Sequence, residues 1–183
     1  MFKKSWLFLV FLILGLMLGA CGSSDVGTGG EGNTAEKKEE AGKKEENKEE
    51  SKDDGAKKFD ASDQSTEVLG MKVALGEIKI AEDKVSVGMN IENTTGAALN
   101  FYPDQGQAII GDMQLDANLF MTSGKVGGEV QGGVKQDGVI EFLAPEGKKI
   151  DVESITSIKL VFGDITTADF MQTEPVSFEV PVK

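Results

Sequence analysis

In Lys84-Val85-Ser86-Val87-Gly88-Met89-Asn90-Ile91-Glu92-Asn93-Thr94-Thr95-Gly96, every second residue from Val85 to Ile91 is apolar. Side chains alternate between the two faces of an extended strand, so this spacing predicts one apolar face and one polar face, closed by a turn at Asn93-Thr94-Thr95-Gly96. Ile158, Leu160 and Phe162 repeat the pattern, as do Val176, Phe178, Val180 and Val182. Met71, Val73 and Leu75 change parity to Ile78 and Ile80 across Gly76, which predicts a bulge or a strand that changes sheets.

Working outward, Ala108 to Leu115 reads as a tight hairpin turning at Gly111-Asp112. Gly138 to Leu143 reads as a strand that stops before Pro145-Glu146-Gly147. Helical periodicity does not persist for ten residues anywhere after Gln64. The spacing predicts an all-β domain over residues 64–183, a β-sandwich of about 7–9 antiparallel strands, with a barrel as the alternative.

The chain before this domain is made of two other materials. Residues 1–20 carry Lys3 and Lys4, an apolar run from Trp6 to Leu18, and small residues after it, the three parts of an export signal. The run is shorter than the roughly 20 residues a spanning helix needs, so the segment is expected to be removed. Residues 21–63 hold the sole cysteine, Cys21, then Gly/Ser-rich and Glu/Lys-rich sequence with no large apolar residue between Val26 and Phe59. A segment with nothing to bury cannot offset the entropy of ordering its backbone, so a disordered linker averaging about 35 Å end to end is predicted.

Leu18-Gly19-Ala20-Cys21 resembles the lipobox of bacterial lipoproteins. The resemblance implies cleavage after Ala20 and a diacylglyceryl group on the Cys21 sulfur, hence a membrane partner reached through lipid on the extracytoplasmic face. Within the domain, Met71-Lys72-Val73, then Ile91-Glu92-Asn93 with Thr94-Thr95-Gly96 and Leu99-Asn100-Phe101, then a glycine-rich stretch leading to Val139-Ile140-Glu141-Phe142, are similar to another pattern. It is that of an uncharacterised immunoglobulin-like domain found after the tether of many Gram-positive lipoproteins, itself similar in fold to a secreted immunoprotective antigen. This resemblance, over about residues 65–182, implies an immunoglobulin-like β-sandwich and brings no catalytic residues and no established ligand. The stretch from Thr122 to Gly138, read as a long Gly/Lys loop, departs from the pattern.

Composition removes several chemistries. The chain has no histidine and no arginine, and its one tryptophan, Trp6, lies in the export signal. Serine-histidine and cysteine-histidine nucleophiles cannot be built, zinc, copper and haem sites lose their usual ligands, and an arginine clamp for phosphate is missing. No cofactor and no enzyme activity are expected. Acidic residues number 31 against 19 lysines, a formal net charge of −12, which disfavours nucleic acid as a partner. Basic peptides, cationic solutes and divalent cations fit such a surface.

A few side chains stand out as candidates. Glu141, Asp151 and Glu153 could supply paired carboxylates for glycoside chemistry, but each alternates with apolar residues as an outward-facing strand position would. Asp104, Asp112, Asp116 and Asp164 lie in or near turns and could offer oxygens to calcium, although no spaced calcium loop is present. Gly124-Lys125-Val126-Gly127-Gly128 lacks the helix a phosphate cradle needs and reads as a hairpin loop, and Ser154, Ser157 and Lys159 have a spacing common by chance. Asn93-Thr94-Thr95, a formal glycosylation acceptor, reads as a turn. Phe101 and Tyr102 beside Pro103 form an aromatic cluster that could contact a partner or close the core. The favoured expectation is a lipid-anchored, non-catalytic interaction module contacting another envelope protein; the alternative is an accessory lipoprotein holding calcium or a small cationic ligand.

Overall fold

The computed structural model describes residues 26–28 and 55–182. The lipobox residues and most of the expected linker lie outside these. The described part is all-β, with twelve antiparallel strands in one hydrogen-bonded network that folds over into a sandwich and does not close. The strands are β1 (Lys57–Asp60), β2 (Ser65–Val68), β3 (Met71–Ile80), β4 (Lys84–Asn93), β5 (Leu99–Phe101) and β6 (Gln107–Ile110), then β7 (Met113–Ala117), β8 (Ser123–Lys125), β9 (Gly128–Val130), β10 (Lys135–Leu143), β11 (Ser157–Thr167) and β12 (Thr173–Pro181). Two single 3₁₀ turns, Pro103–Gln105 and Val152–Ser154, are the only helical segments among the described residues.

One layer is built on β3, β4 and β10. β3 pairs along β4, β4 along β10, and β1 and β2 share the far edge of β3. The other layer is built on β11, which pairs with β12 on one side and with β6 and β5 on the other. β7 belongs to both, since it forms a hairpin with β6 and also pairs with β10 through Asp116 and Ala117.

The alternation read from the sequence is the alternation that fills the core. Val85, Val87, Met89 and Ile91 are at most 1 % exposed, and Ile140 and Phe142 face them from β10 in the same apolar cluster as Leu160 and Phe162 of β11. Phe162 stacks against Phe142 at 6.0 Å between ring centroids and against Phe178 at 6.1 Å, so three rings join β10, β11 and β12 across the two layers.

The parity change at Gly76 is a bulge: the register slips between Leu75 and Ile78, setting two residues of β3 against one of β4. A second slip in β11, between Val161 and Gly163, moves the inward parity from Phe162 to Ile165 and was not visible in the alternation. The β6–β7 hairpin turns at Gly111-Asp112 with φ +60° at Gly111, which suits a two-residue turn with glycine first.

Two features differ from the expectation. The Thr122–Gly138 stretch is not a single hairpin loop: it contains β8 and β9, which pair with β10 and β5 respectively and not with each other. Ordered pairing also starts before residue 64, because β1 runs antiparallel to the end of β3.

Asn93 holds the turn after β4. Its side chain is fully buried and makes four bonds: Nδ2 donates to the Ala97 and Val130 carbonyls, each at 2.8 Å, and Oδ1 accepts from the Thr95 N–H and hydroxyl at 3.0 and 2.7 Å. One residue thereby ties the β4–β5 connection to β9.

Candidate interaction surface

Large apolar side chains that stand in solvent are concentrated at two tips. Between β7 and β8, Leu119, Phe120 and Met121 are exposed, Phe120 almost completely at 97 %. At the β11–β12 turn, Phe170 and Met171 are 72 % and 81 % exposed.

Neither tip is a loose excursion. Asn118 builds the first: its backbone N–H donates to the Glu141 carbonyl at 2.8 Å, its Oδ1 accepts from the Phe120 N–H at 2.9 Å, and its carbonyl accepts from the Met121 and Thr122 amides. An asparagine side chain that bonds the backbone two residues on imitates a turn, so Phe120 is presented on a fixed frame.

Asp169 does the same for the second tip. The Thr167 hydroxyl, 2.6 Å away, and then the Met171 N–H at 3.1 Å hold its carboxyl below the usual carboxylate range. A depressed folded-state value means the stabilisation is present at neutral pH and is lost as pH falls through it, so this tip loosens only in acid. Phe170 itself has φ +57°, a conformation a bulky residue rarely adopts.

The residues singled out in the sequence are distributed differently. Phe101 is fully buried opposite Ile165, whereas Tyr102 is 47 % exposed, so adjacent aromatics face opposite sides and only Tyr102 is offered to solvent. Asp104 lies in the Pro103–Gln105 turn with one carboxylate oxygen buried and without a hydrogen-bond partner. Asp112 sits in the β6–β7 turn, Asp116 in β7 opposite Gln107, and Asp164 in β11 opposite Pro175. Among the described residues, no three carboxylates are grouped so as to share a metal ion.

Glu141 is 7 % exposed on β10, where its Oε2 accepts from the Ser86 hydroxyl at 2.9 Å and pairs with Lys84 Nζ at 3.1 Å. Asp151, just before the Val152–Ser154 turn, and Glu153, within it, are exposed, and Glu153 pairs with Lys57 at 3.5 Å. Ser154 donates its hydroxyl to the Asp151 carbonyl at 2.9 Å, an ordinary turn bond.

The Lys84–Glu141 pair is partly screened, Lys84 being 30 % exposed. Lys84→Met should lower unfolding free energy by about 1–3 kcal/mol, because the carboxylate keeps its burial and loses its counter-charge, while Lys84→Met with Glu141→Gln recovers part of that loss. Urea unfolding of the two variants checks this; equal losses would show that the pair is uncoupled.

A cleft of about 350 Å³ lies between the β6–β7 turn and residues 149–157. Asp112, Lys149 and Asp151 all line it, so charges of both signs meet there and no set of carboxylates converges on a cation. Among the described residues, no helix is long and apolar enough to cross a membrane.

The sequence matches no described protein family and no curated protein. Some solved structures are similar to part of the chain. A protein of unknown function from Listeria monocytogenes is 10 % identical, with 70 % of this chain and 88 % of that one aligned and a TM-score of 0.49. The yjhA protein of Bacillus subtilis is 10 % identical over 68 % of this chain and all of its own, with a TM-score of 0.44. A candidate lipoprotein of Bacillus subtilis, ycdA, is 12 % identical over 68 % of this chain and 39 % of its own, with a TM-score of 0.43.

Proposed function

We propose that the chain is a lipid-anchored module of a bacterial cell envelope, with an immunoglobulin-like sandwich on the extracytoplasmic face that binds another envelope protein and performs no catalysis. The observation that carries this reading is the Leu119-Phe120-Met121 tip. An aromatic ring 97 % in solvent, held there by a hydrogen-bonded turn on a rigid sheet, loses little freedom when a partner covers it. The Leu18-Gly19-Ala20-Cys21 sequence supports the anchor, and the lack of histidine and arginine supports a binding role over an enzymatic one.

The test is a photo-crosslinking residue at position 120 of the full-length protein in living cells. One protein adduct is expected, and the same adduct from a probe at position 121, where Phe120→Ser should abolish it; the protein should leave the membrane on Cys21→Ser. Adducts with lipid alone would make the tip a membrane contact and overturn the protein-partner reading, as would recovery of the monomer alone.

A further inference from the structure

Val26-Gly27-Thr28 belongs by composition to the linker, yet it lies against the outer face of β3 and β4. The Glu77 N–H, in the β3 bulge, donates to the Gly27 carbonyl at 2.9 Å, and Asn90 Nδ2 of β4 donates to the Thr28 carbonyl. Val26 is 9 % exposed, although it is not part of the main core cluster.

The two glycines beneath the segment explain the fit. A Cβ on Gly88 would come within 2.2 Å of the Gly27 carbonyl oxygen, and one on Gly76 within 2.5 Å of the Thr28 carbonyl group. At both positions the three nearest atoms are those of the segment. Neither glycine has the positive φ that would itself call for glycine. Their missing side chains therefore answer to the peptide that crosses them, and the bulge leaves an amide directed at it.

We infer that Gly76, Gly88, the Glu77 N–H and the Asn90 amide form a docking site for a short extended peptide, and that its resident ligand is Val26–Thr28 of the same chain. Recognition is through two peptide carbonyls and one buried apolar side chain laid over the face of the sheet, with no pairing along a strand edge. The consequence for the anchored protein rests on the proposed lipidation of Cys21. Five residue steps separate Cys21 from Val26 and span at most about 18 Å at the extended rise per residue. Docking thus holds the outer face of β3 and β4 within that distance of the bilayer.

Hydrogen exchange on the full-length, processed protein in detergent micelles tests the site. The Glu77 amide, which donates to the Gly27 carbonyl, should be protected at least tenfold. Gly88→Ala, which fills the notch, and Val26→Asp, which alters only the peptide, should each abolish that protection while β10 and β11 exchange as before. An unprotected Glu77 amide in the wild type would overturn the site, as would Gly88→Ala and Val26→Asp both leaving its protection intact. Protection confined to a concentration-dependent dimer would also overturn it, by moving the ligand to a second copy.

Membrane height is read separately, by energy transfer from a dye on Glu146→Cys to labelled headgroups in vesicles; transfer should fall at least twofold on Val26→Asp. Unchanged transfer would overturn the positioning role. Failure to bind vesicles at all would instead refute lipidation and leave the exchange result standing.

Discussion

Phe162→Ala should be among the most destabilising single changes in the domain, lowering unfolding free energy by about 3–5 kcal/mol. Phe162 is fully buried and is the middle ring of three, touching Phe142 of one layer and Phe178 of its own, so truncation removes contacts on both sides of the sandwich. Neighbouring backbone is fixed in β11 between β12 and β6 and cannot collapse into the space. A typical domain has about 5–15 kcal/mol in total, so the variant should melt more than 10 °C lower, if it accumulates folded at all. Phe162→Leu keeps most of the volume and should lose less than half as much. Urea titration with an unchanged slope is the measurement; a loss under about 1 kcal/mol for Phe162→Ala would mean that the layers do not share one core.

Asn93→Leu is the second large effect, and Asn93→Asp distinguishes its cause. Leucine leaves the buried Val130 carbonyl and the part-buried Thr95 amide without their partner, while the Ala97 carbonyl keeps the Thr95 hydroxyl, a loss of about 2–4 kcal/mol. Aspartate is isosteric, but at neutral pH it turns a negative oxygen toward two carbonyl oxygens. Burial and that repulsion favour the protonated form, so the folded-state pKa lies above the unfolded one. A raised folded value gives stability that is present in acid and lost as pH rises through it. Unfolding free energy of Asn93→Asp relative to wild type should therefore recover as pH is lowered from 7 toward 4, while the deficit of Asn93→Leu stays constant. A pH-independent deficit in Asn93→Asp would remove the hydrogen-bond account of this turn.

Long strands were legible because burial on one face writes a two-residue period into them. Val85 to Ile91, Ile158 to Phe162 and Val176 to Val180 lie in β4, β11 and β12, and Gly76 marks the first bulge. Short strands leave no period: β5, β8 and β9 have three residues each and exist because β11, β10 and β5 stand ready to pair with them. The aromatic signal at Phe101-Tyr102 was half informative, since alternation sends neighbours to opposite faces and buries the first. Phe120 is not singled out by the sequence, because exposure depends on tertiary neighbours and the apolar run Leu119-Phe120-Met121 reads equally well as buried. Val26 reads as linker for the same reason: its burial comes from a surface more than fifty positions further along the chain.

The pairing of β4 with β10 joins residues 84–93 to residues 135–143, while β3–β4 and β11–β12 are hairpins between neighbours. Hairpins close cheaply, but the central pairing must first close the long intervening chain before its contacts stabilise it. A polypeptide emerging amino end first would thus carry a completed β3–β4 ribbon with the free edge of β4 unpaired until β10 arrives and its apolar face uncovered until β11 follows. During that interval the nascent chain is open to self-association and to proteases, and its survival depends on the speed with which its second half follows.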